Sequence, residues 1–235
     1  MTYTKRIDGR KFDELREIKA KVGIISRADG SAMFQIGKTI AIAAVYGPRN
    51  LFPKFLQNFE QGILRCNYNM MSFSGSGERV KPGPSRRSRE ISYITENALL
   101  PSLDLKDYPS SVVDVYIELL QTDAGTRCAG ITAAALALAD AGFPMRDLVA
   151  AVSIGKIEDK IIVDVNKEEE DYEGGMADIP IAVLPRTGEI TLLQMDGFLT
   201  REELKEVLNI ARKACMQIYN IQREALRERY KNGLS

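Results

Sequence analysis

The stretch that most restricts how this chain can fold is Gln121-Thr122-Asp123-Ala124-Gly125-Thr126-Arg127-Cys128-Ala129-Gly130, set between the apolar segments Val112 to Leu120 and Ile131 to Ala141. The pattern reads as strand, tight loop and helix. Gly and small side chains allow a sharp turn and leave the first helical N–H groups uncovered, so an anion can approach them. Arg127 then adds a positive charge in the first turn. The same residues also suit a turn that does no more than bring the helix close to the sheet.

Which chemistry such a loop can serve is narrowed by an absence: the 235 residues contain no His and no Trp. Triads and dyads that use His as base are excluded, as are His-ligated metals. Carboxylates, cationic side chains, backbone dipoles and a hard metal held by oxygen are left. Lys+Arg and Asp+Glu both number 32, so any basic surface must come from local segregation of charge. Cys66, Cys128 and Cys215 are odd in number and widely spaced, which argues against a disulfide framework or a zinc site. Lys5, Arg6, Asp8, Arg10 and Lys11 interrupt any signal-like start, and no long uncharged apolar run follows, so a cytoplasmic protein without membrane contact is expected.

The hydrophobic fraction, 45%, is enough for a substantial core, and no linker or repeat divides the chain. The expectation is one α+β domain over 1–235, with a polar opening segment over 1–17 and a fraying end over 231–235. Ile18 to Ile25, Ser31 to Ile36 and Thr39 to Tyr46 read as an antiparallel meander closed by Gly47-Pro48. Ile63 to Phe73 alternates as a strand, with Arg65, Asn67 and Asn69 on one face and Leu64, Cys66, Tyr68 and Met70 on the other. Val149 to Ile157 with Ile161 to Asp164 forms a hairpin, and Ile179 to Leu184 and Ile190 to Met195 are further strands. Thr200-Arg201-Glu202-Glu203 has the form of a capping box and opens a long amphipathic helix to about Arg229.

Charge is segregated in two places. Between Arg79 and Arg89 lie Lys81, Arg86 and Arg87 as well, and a helix follows from about Ser88 to Leu100, with Ser85 or Ser88 as its cap. Cations at a helix amino terminus oppose its dipole by several tenths of a kcal/mol each, roughly, so their placement points to an anionic partner. The acidic run Glu168 to Glu173 reads mostly as solvated surface. Asp178 differs, because it directly precedes an apolar strand and can be held at a sheet edge.

Taken in order, Ile7-Asp8-Gly9-Arg10, Ala44-Val45-Tyr46-Gly47-Pro48, Ser85-Arg86-Arg87-Ser88, Leu120 to Arg127, Ala139-Asp140-Ala141-Gly142, Pro144-Met145-Arg146-Asp147 and Leu193-Gln194-Met195-Asp196-Gly197 resemble the ribonuclease PH family, within it the catalytic ring subunits of archaeal exosomes. The resemblance covers nearly the whole chain. It implies a single ribonuclease PH-type domain with mixed β-sheets packed against helices. It also implies RNA as partner, a heterohexameric ring built as a trimer of dimers with a non-catalytic homologue, and RNA-binding cap proteins. The activity implied is phosphate-dependent 3′→5′ exoribonucleolysis that releases nucleoside diphosphates, with 3′ tailing as the reverse reaction.

Laid on matching positions, the resemblance assigns phosphate binding to Gly125, Thr126, Arg127 and Arg87, and RNA binding to Arg65, Tyr68, Arg86 and Arg89. Asp178 takes the place of the catalytic acid or metal ligand, with Mg²⁺ beside inorganic phosphate as co-substrate. The family's second acid, six positions earlier, meets Tyr172 here; a one-residue insertion in the Gly174-Gly175 turn would bring Asp171 into its place. Phosphate is already a nucleophile, so the chemistry needs no His; it needs cations and N–H groups that hold two anions together. A self-sufficient homohexamer that trims transfer RNA and a non-catalytic RNA-binding ring subunit remain as alternatives.

Overall fold

A computed structural model of the chain describes residues 3–76 and 80–232. Gly77, Glu78 and Arg79 of the basic segment, and 233–235 of the expected fraying end, lie outside the described residues. Strands β1 (Ile18–Val22), β2 (Gly30–Ile36), β3 (Thr39–Asn50), β4 (Ile63–Met70) and β5 (Ser111–Gln121) form one sheet in the order β1-β2-β3-β5-β4. Its pairs are antiparallel except β4 with β5, which are parallel and joined through helix α1 (Arg86–Leu99).

Helix α2 (Thr126–Asp140) then crosses to a second, antiparallel sheet of order β7-β6-β8-β9, made from β6 (Ala150–Ile157), β7 (Lys160–Val163), β8 (Met176–Leu184) and β9 (Glu189–Leu193). A short helix α3 (Lys167–Glu170) precedes β8, and α4 (Arg201–Asn232) ends the description. This is an α+β fold of mixed sheets and helices. Each of α1, α2 and α4 touches strands of both sheets, so the helices lie between them.

The composition of α2 follows from that position. From Cys128 to Leu138 every residue is buried, and there is no polar face. Alanine lets sheets approach from both sides. At Gly30 the approach is closer still, since a Cβ there would stand 2.3 Å from the Ala137 carbonyl oxygen. Ile131, Leu136 and Leu138 supply the bulk between these close points.

Two sequence boundaries are corrected. Gly47-Pro48 does not close β3: pairing with β5 resumes at Arg49 and Asn50 after a register shift, so a bulge absorbs the Pro that cannot donate to a ladder. Asp178 does not precede its strand at a sheet edge. It lies inside β8, opposite Gly155 of β6 on one side and Asp196 on the other, because Met176 and Ala177 already pair with Ile157 and Lys156.

The outermost strand β4 is covered by α1. Glu96 Oε1 accepts the Cys66 N–H at 2.8 Å and Ser92 Oγ accepts the Tyr68 N–H at 2.9 Å.

The opening segment is held by buried charge. Arg6 donates from Nε and Nη2 to the two carboxylate oxygens of Glu169, each at 2.7 Å, and both side chains are fully enclosed. Its Nη1 and Nη2 also reach the carbonyls of Val163 and Asp164 at 2.8 and 2.9 Å. Arg16 binds the Asp164 carboxylate through its backbone N–H, Nε and Nη2 at 2.8, 2.9 and 2.7 Å. The acidic run is therefore not all solvated: Glu169 is the buried partner that lets Arg6 enter the interior.

Burial by itself would raise the Glu169 carboxyl, but the Arg6 guanidinium and the Asn166 N–H hold it below the ordinary glutamate value. A carboxyl depressed in the folded state contributes stability that is present above its unfolded pKa and lost as pH falls through the folded one. Glu169→Ala leaves Arg6 buried and unpaired and is expected to cost about 3–5 kcal/mol. Urea denaturation at neutral pH checks this, and the difference from wild type should shrink as pH drops below the ordinary glutamate range.

Candidate active site

The loop between β5 and α2 turns through two consecutive left-handed residues, Ala124 at φ 54° and Gly125 at φ 62°. Gly125 is the N-cap of α2 and supplies no side chain to it, so the N–H groups of Thr126, Arg127 and Cys128 keep no intrahelical partner. These residues line a cavity of about 290 Å³. Arg87, in the first turn of α1, lines it too, so two helix amino termini bring their positive ends to one space. Helix α1 begins at Arg86, earlier than the expected Ser88, because Ser85 and Ser88 cap each other's N–H groups at 3.0 and 2.8 Å.

The opposite wall comes from the second sheet. Asp178 faces the cavity from β8, and Ser153 of β6 donates to its Oδ1 at 2.6 Å, a short charge-assisted bond that fixes the carboxylate. Arg127 Nη1 donates to Gln194 Oε1, which aims the guanidinium across the same space. Lys167 and Glu170 of α3 complete the rim. Arg87, Arg127 and Lys167 outnumber Asp178 and Glu170, and with two helix dipoles added the field favours an anion beside a single oriented carboxylate.

Arg87, Gly125, Thr126, Arg127 and Asp178, picked from sequence, thus meet at one cavity. Arg86 and Arg89 are exposed on the same first turns of α1. Arg65 is exposed on the outer face of the first sheet, with Nε and Nη2 on the Asp114 carboxylate at 2.6 and 3.0 Å. Tyr68, the other residue of this strand expected at RNA, points to the opposite face, is 3% exposed, and packs under Gly130 of α2. Its hydroxyl finds no hydrogen-bond partner among the described residues.

Asp171 also falls elsewhere. It is exposed at the end of α3, where Lys167 Nζ donates to it at 2.7 Å, and the neighbouring Glu170 lines the cavity in its place. Tyr172 turns away to Glu158, at 3.2 Å. Among the described residues no three His, Cys, Asp or Glu side chains form a group able to hold a metal ion. Mg²⁺ does not need such a group, since it takes one or two carboxylates and completes its shell with phosphate oxygens and water. Asp178, with only Oδ1 engaged by Ser153, fits that donor set.

Ser153, Lys167, Glu170 and Gln194 escaped the sequence reading. Ser153 left a signal, a hydroxyl inside the apolar strand Val149 to Ile157; Lys167 and Glu170 were hidden in a charge run. Among the described residues no helix is long and apolar enough to cross a membrane.

The ribonuclease PH models, described as domains 1 and 2 of a 3′ exoribonuclease family, match residues 14–144 and 147–214. The chain belongs to the 3′ exoribonuclease family. Among its relatives, the exosome complex component Rrp41 of Pyrococcus furiosus is 58% identical over 226 residues, 96% of this chain and 89% of that one. The Rrp41 component of Methanopyrus kandleri is 50% identical over 96% of this chain and 93% of its own. In fold, the chain is similar to rice Rrp46, with a TM-score of 0.81 at 24% identity over 93% and 98% of the two chains. It is also similar to a chain of the Archaeoglobus fulgidus exosome with RNA bound to the active site, with a TM-score of 0.77 at 23% identity over 97% and 93%. The two family matches divide between α2 and β6, so the cavity of this 3′ exoribonuclease family member lies across their junction.

If the cavity takes an anion, inorganic phosphate or sulfate should raise the melting temperature of the protein in a concentration-dependent way, by an amount equivalent to about 2.7 kcal/mol at a hundredfold excess over Kd. The shift should vanish in Arg127→Ala and Arg87→Ala, as followed by differential scanning fluorimetry.

Proposed function

We propose that this chain is the catalytic ring subunit of an exosome core, which shortens RNA from its 3′ end with inorganic phosphate as attacking group and releases nucleoside diphosphates. The observation that carries this is the meeting of Arg87 and the Gly125-Thr126-Arg127 helix end with Asp178 across one cavity. Relatives named as Rrp41 components of exosomes, at 50–58% identity over nearly the full length, support the assignment. In this reading the chain acts as a unit across both family segments. It alternates with a non-catalytic homologue in a six-membered ring that carries RNA-binding cap proteins.

In the reaction an oxygen of hydrogen phosphate attacks the phosphorus of the terminal phosphodiester, the bond from phosphorus to the 3′ oxygen breaks, and that oxygen leaves as a hydroxyl with the proton that the attacking phosphate gives up. Two anionic groups must be held in line, and the charge shared among their oxygens must be stabilised as the bonds exchange. The N–H groups of Thr126 and Arg127 and the guanidinium groups of Arg127 and Arg87 do this from the first sheet's side. Asp178, oriented by Ser153, handles the proton required by the leaving oxygen. Mg²⁺, held there by Asp178 with phosphate oxygens and water, would add charge neutralisation when bound. Arg86, Arg89 and Arg65 hold the RNA backbone outside the reacting centre.

The assembled ring, given RNA, should release nucleoside diphosphates only when phosphate is added, whereas the isolated chain should be nearly inactive. Vigorous phosphorolysis by the isolated chain would favour the self-sufficient homohexamer, and full activity of Asp178→Ala would remove the mechanism. Arg127→Ala should lower turnover by an amount corresponding to about 2–4 kcal/mol. Arg65→Ala should weaken long RNA while sparing the shortest substrates, as read from KM for the two lengths.

A further inference from the structure

The carbonyls of Asp123 and Ala124 are both drawn away from the cavity by residues that do not line it. Arg16 Nη1 donates to the Asp123 carbonyl and, at 3.4 Å, to the Asp123 carboxylate. The Thr39 hydroxyl donates to the Ala124 carbonyl at 2.8 Å and accepts the Asp123 N–H at 3.0 Å. In a trans peptide the C=O and the following N–H point in opposite directions. Tying down these two carbonyls therefore turns the N–H groups of Ala124 and Gly125 toward the cavity that both residues line, where they extend the row begun by the first turn of α2.

The conformation needs such support. A non-Gly residue at positive φ is uncommon and persists where its surroundings over-determine it, and Ala124 at φ 54° is one. Arg16 and Thr39, 8% and 0% exposed, are the groups that impose it. Arg16 is itself immobilised by Asp164, whose N–H donates to the Ser153 carbonyl at 2.8 Å. Because the Ser153 hydroxyl holds Asp178, a single run of contacts from Thr39 and Arg16 through Asp164 and Ser153 joins the loop to the carboxylate.

We infer that Arg16 and Thr39 are the positioning residues of the phosphate loop: they hold its two left-handed peptide units so that a row of N–H groups faces the attacking phosphate at a fixed distance from Asp178. The inference rests on the phosphorolytic reading above and adds to it the residues that set the affinity for phosphate. The polar opening segment thereby acquires a task at the reacting centre, although none of its described residues lines the cavity.

The test uses the assembled ring, with initial rates measured against phosphate and against RNA separately. In Arg16→Lys, which keeps the charge but loses the fork, and in Thr39→Val, which keeps the shape but loses the hydroxyl, KM for phosphate is expected to rise roughly 10- to 100-fold. KM for RNA should stay at the wild-type value, and kcat at saturating phosphate should fall far less. Thr39→Ser should restore the wild-type KM. A purely structural role would lower the active fraction, and so kcat, while leaving KM for phosphate untouched.

Folded, assembled variants with an unchanged KM for phosphate would overturn the inference. Should Arg16→Lys fail to assemble, the Thr39→Val and Thr39→Ser pair decides alone, since it acts on the neighbouring carbonyl of the same loop. A wild-type ring that needs no phosphate would remove the functional reading and the inference together. A phosphate-dependent wild type beside an unaffected Thr39→Val removes the inference by itself.

Discussion

Helix α2 has no side that faces water, and that enclosure decides where its amino terminus comes out. Both sheets press on it, and the N–H groups of its first turn emerge at the seam between the sheets. Helix α1 brings its own amino end to the same seam with arginines in its first turn. The arrangement concentrates positive potential instead of cancelling it, against a dipole preference of about 0.3–1 kcal/mol per charge. A site so arranged is least stable empty, and binding an anion relieves it.

The opposing requirement is met by the second sheet. Asp178 is fixed from the side by Ser153 and from the backbone by Asp196, whose N–H and C=O pair with those of Asp178 at 2.9 and 2.8 Å. The two family matches both contribute to the charge set, the arginines and helix N–H groups coming from residues 14–144 and Asp178, Glu170 and Lys167 from 147–214. The chemistry belongs to their junction and to neither half alone.

Much of this was readable from residue order. The loop from Gln121 to Gly130 announced a turn onto a buried helix, and the alternation of Ile63 to Met70 put Arg65 and Tyr68 on opposite faces, as the sheet has them. What periodicity could not convey was register and long-range pairing. Asp178 looked like the residue before a strand because its partners Gly155 and Asp196 lie far away in sequence. Glu169 looked like one of several solvated acids because the arginine that buries it, Arg6, comes 163 residues earlier. Asp171 closes α3 and pairs with Lys167, and it is Glu170 that lines the cavity. Charges in a run are alike on paper, and only packing distinguishes the one that enters the core.

The cover that α1 lays over β4 bears on how copies or homologues of this chain can associate. An outermost strand ordinarily offers a row of unpaired N–H and C=O groups that a foreign strand can extend. Here the side chains of Ser92 and Glu96 already occupy the donors of Tyr68 and Cys66. A neighbour approaching this edge meets helix side chains at those two positions in place of an open ladder, which blunts the edge against extension by a foreign strand.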